Sequence, residues 1–366
     1  MRRPVATGLA LALAVLLTAC GSAEAAGPAA SASSSAPVPL ASLSPAADPR
    51  SLTGPATAAL TDRTVEPVGG DEQASLPATV VSKFRAGDRE VTVSDTSRIV
   101  AFDLSGSIAA TLWALGLGDR LVARDVSTTF PGTESLPVIT REGHAVNAEA
   151  VLSTSPTLII TDGSMGPRDV VEQLADTGVP VVFVDNGASY DGAATLAREV
   201  AAAVGLPDTG ERLAERITAE VDAVRAQIAR LAPTDADDRL RIVFLYVRAN
   251  SGVYYLLGKD SGAGALIDAL GGTDVGAELG WAEAQPLTDE AVVAAKPDVI
   301  LMMTDGLASA GGVDGLLAAK PALSLTPAGE RRRFVDMADG DILSFGPRSA
   351  AVLAAVARAV YGEAGR

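Results

Sequence analysis

One cysteine, one histidine, 4% aromatic residues and a deficit of positive charge bound this 366-residue chain before any motif is weighed. A lone cysteine, Cys20, has no partner for a disulfide and excludes a thiolate metal centre. Lys and Arg number 29 against 45 Asp and Glu, a net charge of −16. Neither nucleic acid nor an anionic membrane surface is a fitting partner for that balance. No Gly-x-Ser-x-Gly elbow occurs, and Gly258-Lys lacks the spacing of a phosphate-binding loop. Beyond one run near the N-terminus, no stretch is long and apolar enough to span a bilayer.

That run does carry information. Arg2 and Arg3 precede an apolar stretch from Val5 to Leu17, which reads as an export signal. It closes on Leu17-Thr-Ala-Cys20-Gly21, a small-residue site ending in cysteine that looks like a bacterial lipobox. Residues 1–19 are then a lipoprotein signal peptide, and a lipid on Cys20 holds the mature protein to the extracytoplasmic face of the cell membrane. Residues 20–77, rich in Ala, Ser, Pro and Gly, read as a disordered tether.

The remainder alternates strands with helices, which means α/β lobes built on parallel sheets. An N-terminal lobe takes residues 78–206. A connecting helix follows at 207–233, with Leu213, Ile217, Val221, Val224, Ile228 and Leu231 on one stripe. Residues 234–366 form a C-terminal lobe. The lobes echo one another. Asn147-Ala-Glu149-Ala-Val-Leu-Ser-Thr-Ser-Pro156 matches Thr288-Asp-Glu290-Ala-Val-Val-Ala-Ala-Lys-Pro297, and each copy leads through an apolar strand to Thr-Asp-Gly. Glu149 and Glu290 each fall in a first helical turn, where the dipole favours a carboxylate; each could also offer its charge to a partner.

The stretch Arg239-Leu-Arg-Ile-Val-Phe-Leu-Tyr-Val-Arg248 reads as a buried strand. Alternation puts Phe244, Tyr246 and Arg248 on one face and Val243, Leu245 and Val247 on the other. Tyr246 and Arg248 lie near its carboxyl end, where open α/β sheets bind ligands. A phenol beside a guanidinium ionises more readily, and a phenolate is a hard oxygen donor for ferric iron and a known axial ligand of haem. The plainer reading is a tyrosine capping a core strand beside a surface arginine. His144, in Arg141-Glu-Gly-His-Ala-Val-Asn147, stands on a loop at the carboxyl-end side of the first lobe. Imidazole is a frequent metal ligand, although a single histidine is more often an ordinary surface or core residue. One histidine and one tyrosine are too few for a bare structural metal but suit the two axial positions of a planar iron macrocycle.

With these residues in view, the chain resembles the substrate-binding lipoproteins of ABC importers for iron chelates, haem and cobalamin. Within that group, Glu142-Gly-His144, Tyr246-Val-Arg248, Ser344-Phe-Gly-Pro-Arg348 and Gly311-Gly-Val-Asp-Gly315 are similar to the haem-uptake lipoproteins of the HmuT type. The likeness covers about residues 90 to 362. It implies two similar parallel-sheet lobes joined by one long helix, with His144 and Tyr246 binding haem iron from opposite faces and Arg248 hydrogen-bonded to the tyrosine. It also implies that Glu149 and Glu290 dock on the membrane permease, which works with its ATPase. Surface haem-donor proteins are further expected partners. Phe130, Met165, Trp281 and Met302 are offered as the apolar wall of the haem site.

Ferric siderophores and cobalamin remain alternatives on the same scaffold. An esterase would need His144 as its base without any recognisable nucleophile elbow, so a non-enzymatic receptor is expected. A purely structural surface lipoprotein would leave the paired glutamates and the Tyr-x-Arg strand without a role.

Overall fold

The computed structural model describes residues 38–69, 72–141 and 144–363. The signal peptide, Cys20, Glu142 and Gly143 lie outside the described residues.

Short runs of Ile, Val and Leu make the first sheet. Its strands lie in the order Leu121–Ala123, Ile99–Phe102, Leu158–Thr161, Val181–Phe183, every neighbouring pair parallel. Helices Ser107–Ala114, Ala148–Ser153 and Arg168–Gln173 supply the crossovers, and Tyr190–Ala203 follows the last strand. A sheet covered on both faces needs apolar strands, and these are buried throughout except at Val122 on the edge strand. The expected edge hairpin forms from Ala78–Phe84 and Gly87–Val93. Buried Ser82 bolts it to the sheet, its Oγ accepting from Phe183 N at 2.8 Å and donating to Val181 O at 3.2 Å.

The second sheet has seven strands, centred on Arg241–Arg248. Val299–Met303, Phe334–Met337 and Ala56–Ala58 follow on one side, all parallel. Val253–Leu256 and Gln285–Pro286 add antiparallel strands on the other side, and Thr273–Asp274 pairs there in parallel. The fold class expected from the sequence is therefore met: two parallel-sheet halves and one long helix. That helix, Pro207–Ile228, buries Leu213, Ile217, Val221 and Ile228 and packs on both Tyr190–Ala203 and the closing helix Ser349–Tyr361. Its 22 residues extend about 33 Å at 1.5 Å per residue.

The internal repeat is equally plain in three dimensions. Asn147 accepts from Ala150 N ahead of Ala148–Ser153, and Thr288 accepts from Ala291 N ahead of Asp289–Ala295. Glu149 and Glu290 stand exposed in the two first turns. Only the third part of the repeat differs, because Thr304 starts the helix Thr304–Ser309 whereas Thr161 ends a strand.

One boundary is corrected. The sequence reading carried a disordered tether through residue 77, but residues 38–69 lie along the folded body. The turn Leu40–Ser42 buries Leu40 against the connecting and closing helices. Ala56–Ala58 pairs with Val335, Asp336 and Met337 at the sheet edge. Fully buried Arg333 donates to Gly54 O at 3.4 Å and to the terminal carbonyls Ala359 O and Val360 O. Further along, Val68 N donates to Ala114 O of the first half at 2.8 Å. A few anchors suffice because the sheet edge satisfies the segment's backbone, so low apolar content does not preclude order.

Candidate functional site

The tyrosine strand sorts its side chains into two cores. Ile242 and Phe244 join the larger hydrophobic cluster, while Val243, Leu245 and Val247 join another. Tyr246 and Arg248 continue the Phe244 face but are only half-buried, so the face leaves the core at the carboxyl end of the sheet. In the antiparallel register Tyr255 stands directly opposite Tyr246, on the same face. It is exposed.

Arg248 does not meet Tyr246 as the sequence reading expected. Its guanidinium carbon sits 4.7 Å from the centroid of the Tyr246 ring, a stacked cation–π contact. Its hydrogen bonds go elsewhere, from Nη1 to Val247 O at 2.8 Å and from Nη2 to Asp339 Oδ2 at 2.6 Å. A carboxylate competes strongly for a guanidinium, and Asp339 is within reach because its loop follows the neighbouring-but-one strand Phe334–Met337.

Beside His144, Arg141 N donates to Ala145 O at 2.8 Å. The His144 backbone is left-handed at φ 62°, a conformation rare outside glycine that often marks functional positions. Burial, then the Arg248 charge, push its imidazolium below the ordinary histidine range, while Asp339 pulls the other way. The two charges that act on His144 thus belong to the other half of the molecule, and the balance favours the neutral imidazole, the form that binds a metal. Its Nδ1 is buried without a hydrogen-bond partner among the described residues.

Loops of the two halves also touch at several further points. Ser107 Oγ lies 3.3 Å from Ser344 Oγ. Gly340 backs onto the Ser127 carbonyl, and Tyr190 stacks edge-on with Phe345 at 5.2 Å. Arg348 and Asp341 form a buried ion pair at 2.7 Å, with Arg63 3.4 Å from the same carboxylate and donating to Thr129 Oγ1 at 2.9 Å. Beneath the first sheet's carboxyl end lies a buried acidic cluster. Burial, then the Asp162 charge, raise Asp103, although it accepts hydrogen bonds from Ser105, Ser107, Ile108 and Asn186. Burial and the Asp103 charge push Asp125 up to about 7.

Three of the four proposed wall residues are corrected. Phe130, Met165 and Met302 are fully buried in the cores, Phe130 edge-on to Trp113 at 5.5 Å. Apolar character alone could not separate wall from core. Trp281 is half-buried against the second-sheet cluster. Asp339 and Tyr255 were missed, since each becomes visible only once strand register is known. A cavity of about 650 Å³ between the N-terminal segment and the closing helix holds none of these site residues.

Comparison with known proteins gives consistent results. The periplasmic binding protein family profile matches residues 102–339. The ABC transporter substrate-binding lipoprotein YvrC of Bacillus subtilis is 28% identical over 227 residues, covering 61% of this chain and 68% of its own. A cobalamin-binding protein of Halobacterium salinarum is 26% identical over 259 residues, or 69% of this chain and 65% of its own. Among solved structures, the haem-binding protein HmuT is 39% identical with a TM-score of 0.80, covering 86% of this chain and all of its own. HmuT has also been solved with a histidine, a tyrosine or an arginine replaced by alanine. The periplasmic haem-binding protein RhuT from Roseiflexus sp. RS-1 is 38% identical at a TM-score of 0.66, covering 73% of this chain and 98% of its own.

Proposed function

This chain belongs to the periplasmic binding protein family, and we propose that it is the extracytoplasmic haem receptor of an ABC importer. The supporting observation is that Arg248, stacked on the Tyr246 ring in the second half, acts by its charge on His144 of the first. In this reading the Tyr246 oxygen and the His144 imidazole are the axial ligands of ferric haem. Arg248 would favour the anionic phenolate. Tyr255 would offer an aromatic face to the macrocycle. The likeness to HmuT at 39% identity supports this assignment, and the tyrosine and arginine replaced there stand two positions apart, as Tyr246 and Arg248 do.

The protein then performs no chemistry on its cargo. Exposed Glu149 and Glu290 dock the two halves on the permease, and a lipid on Cys20 keeps the receptor at the membrane surface. No described helix is long and apolar enough to cross a membrane. Haemin titrated into the purified protein tests the reading: a sharp Soret band that changes on Tyr246→Phe is expected, and its absence would refute it. The cobalamin-binding relative at 26% identity favours a second cargo. Cyanocobalamin displacing haemin, or binding in its place, would decide for it.

A further inference from the structure

The segment that precedes both halves in the chain runs along the seam between them. Ala56–Ala58 completes the edge of the second sheet, and further along Val68 N donates to Ala114 O of the first half at 2.8 Å. Arg216 of the connecting helix fastens the same stretch, donating to Glu66 O at 2.8 Å. Between these anchors, Arg63 reaches both halves with one nitrogen. Its Nη2 donates to Thr129 Oγ1 at 2.9 Å and lies 3.4 Å from Asp341 Oδ2. The stretches 58–63 and 63–68 each extend at most about 18 Å, so neither can slacken far. Asp341 is a fixed point for the contact. It is buried, and its Oδ1 accepts from Arg348 Nη1 at 2.7 Å, while the Arg348 guanidinium lies 5.7 Å from the Phe130 ring of the first half. The seam is tight here: a Cβ on Gly340 would stand 3.0 Å from Ser127 O and 3.6 Å from Thr129 Oγ1.

We propose that Arg63 is a positioning residue. By bridging Thr129 of the first half to Asp341 of the second, it fixes the separation of the halves and, through it, that of His144 and Tyr246. The last step rests on the haem reading above. A macrocycle held by one ligand from each half keeps both axial bonds only while that separation is maintained. Arg63 touches neither ligand. Its side chain is 39% exposed, so the bridge is modest in strength, and Asp341 keeps its bond to Arg348 when the bridge is lost. Removing Arg63 therefore loosens the seam without leaving a buried charge alone.

The test is Arg63→Gln in the full chain, with Thr129→Val as a second variant that removes only the acceptor on the first half. Spin labels on the exposed positions Ser153→Cys and Ala294→Cys, in a Cys20→Ser background, read the distance between the halves without haem. Either variant should broaden and lengthen the parental distance distribution, and the two together should do no more than one alone. Arg63→Lys, which keeps the charge, should restore it in part. With haemin added, the five-coordinate, high-spin fraction of the ferric spectrum should rise in Arg63→Gln. Release into excess apoglobin should quicken about threefold, the scale of a partly exposed ion pair. A parental distance distribution in Arg63→Gln would overturn the proposal, as would a change that Thr129→Val does not share. Broadened distances with an unmoved haemin spectrum would overturn the link to His144 and Tyr246. If parent and Tyr246→Phe give identical haemin spectra, the haem reading itself fails, while the label distances still decide whether Arg63 holds the halves.

Discussion

Leu40→Ala probes the segment that composition alone assigns to a loose tether. Leu40 is 4% exposed and sits between the connecting helix and the closing helix. Truncating a buried leucine costs about 2–5 kcal/mol, less where the surroundings can settle into the space. The turn Leu40–Ser42 is peripheral and can settle, so about 2–3 kcal/mol is expected. At about 2 °C per kcal/mol for a large domain, the melting temperature should fall by about 5 °C. A second readout is local. Arg50 lies against Asp238 and Asp298, and Arg63 against Asp341. Trypsin should therefore cut at these two sites slowly in the parent and faster in the variant. Calorimetry and timed proteolysis check both. An unchanged melting temperature together with rapid parental cleavage at Arg50 would mean that the segment is not held, and the reasoning would fail.

Tyr246→Phe keeps the ring that Arg248 stacks on and should leave thermal stability within about 1 kcal/mol, since the side chain is only half-buried. Haemin titration should show it weakening ferric haem binding more than His144→Ala does, because the anionic ligand prefers Fe(III). Asp125 gives a pH prediction. Its folded-state pKa of about 7 lies above the unfolded value of 3.8, so the folded protein retains a proton that the unfolded chain has lost. Stability should therefore fall as pH rises from about 4 to about 7, and denaturant melts of Asp125→Asn should show a flatter profile in that window. Gly132→Ala should lose about 2–3 kcal/mol in the same melts, because φ is +95° and the new Cβ would meet the Trp113 ring at 2.4 Å.

Much of this was legible in the residues themselves. Period-two alternation in Arg241–Arg248 foretold the division of its side chains between two cores, because a pleated strand leaves them no other choice. The caps Asn147 and Thr288 were readable because capping is a local interaction. The partner of Arg248 was not. Asp339 lies 91 positions away and reaches it only through parallel register, which no local pattern encodes. Phe130 and Met302 failed for a related reason. An apolar side chain is equally at home in a core or a ligand wall, and packing alone decides between them. Residues 38–69 were misjudged because a three-residue strand draws its stability from its partner rather than from its own composition.

The strand Ala56–Ala58 also governs how copies of this protein tolerate crowding. Without it, Phe334–Met337 would present a bare row of amide donors and acceptors to any neighbouring chain. Three residues led in by Pro55 make a poor template in its place, because the edge is too short and too interrupted to recruit another sheet. The outer edge of the second sheet is thus closed to strand-on-strand pairing by residues 56–58 of the same chain.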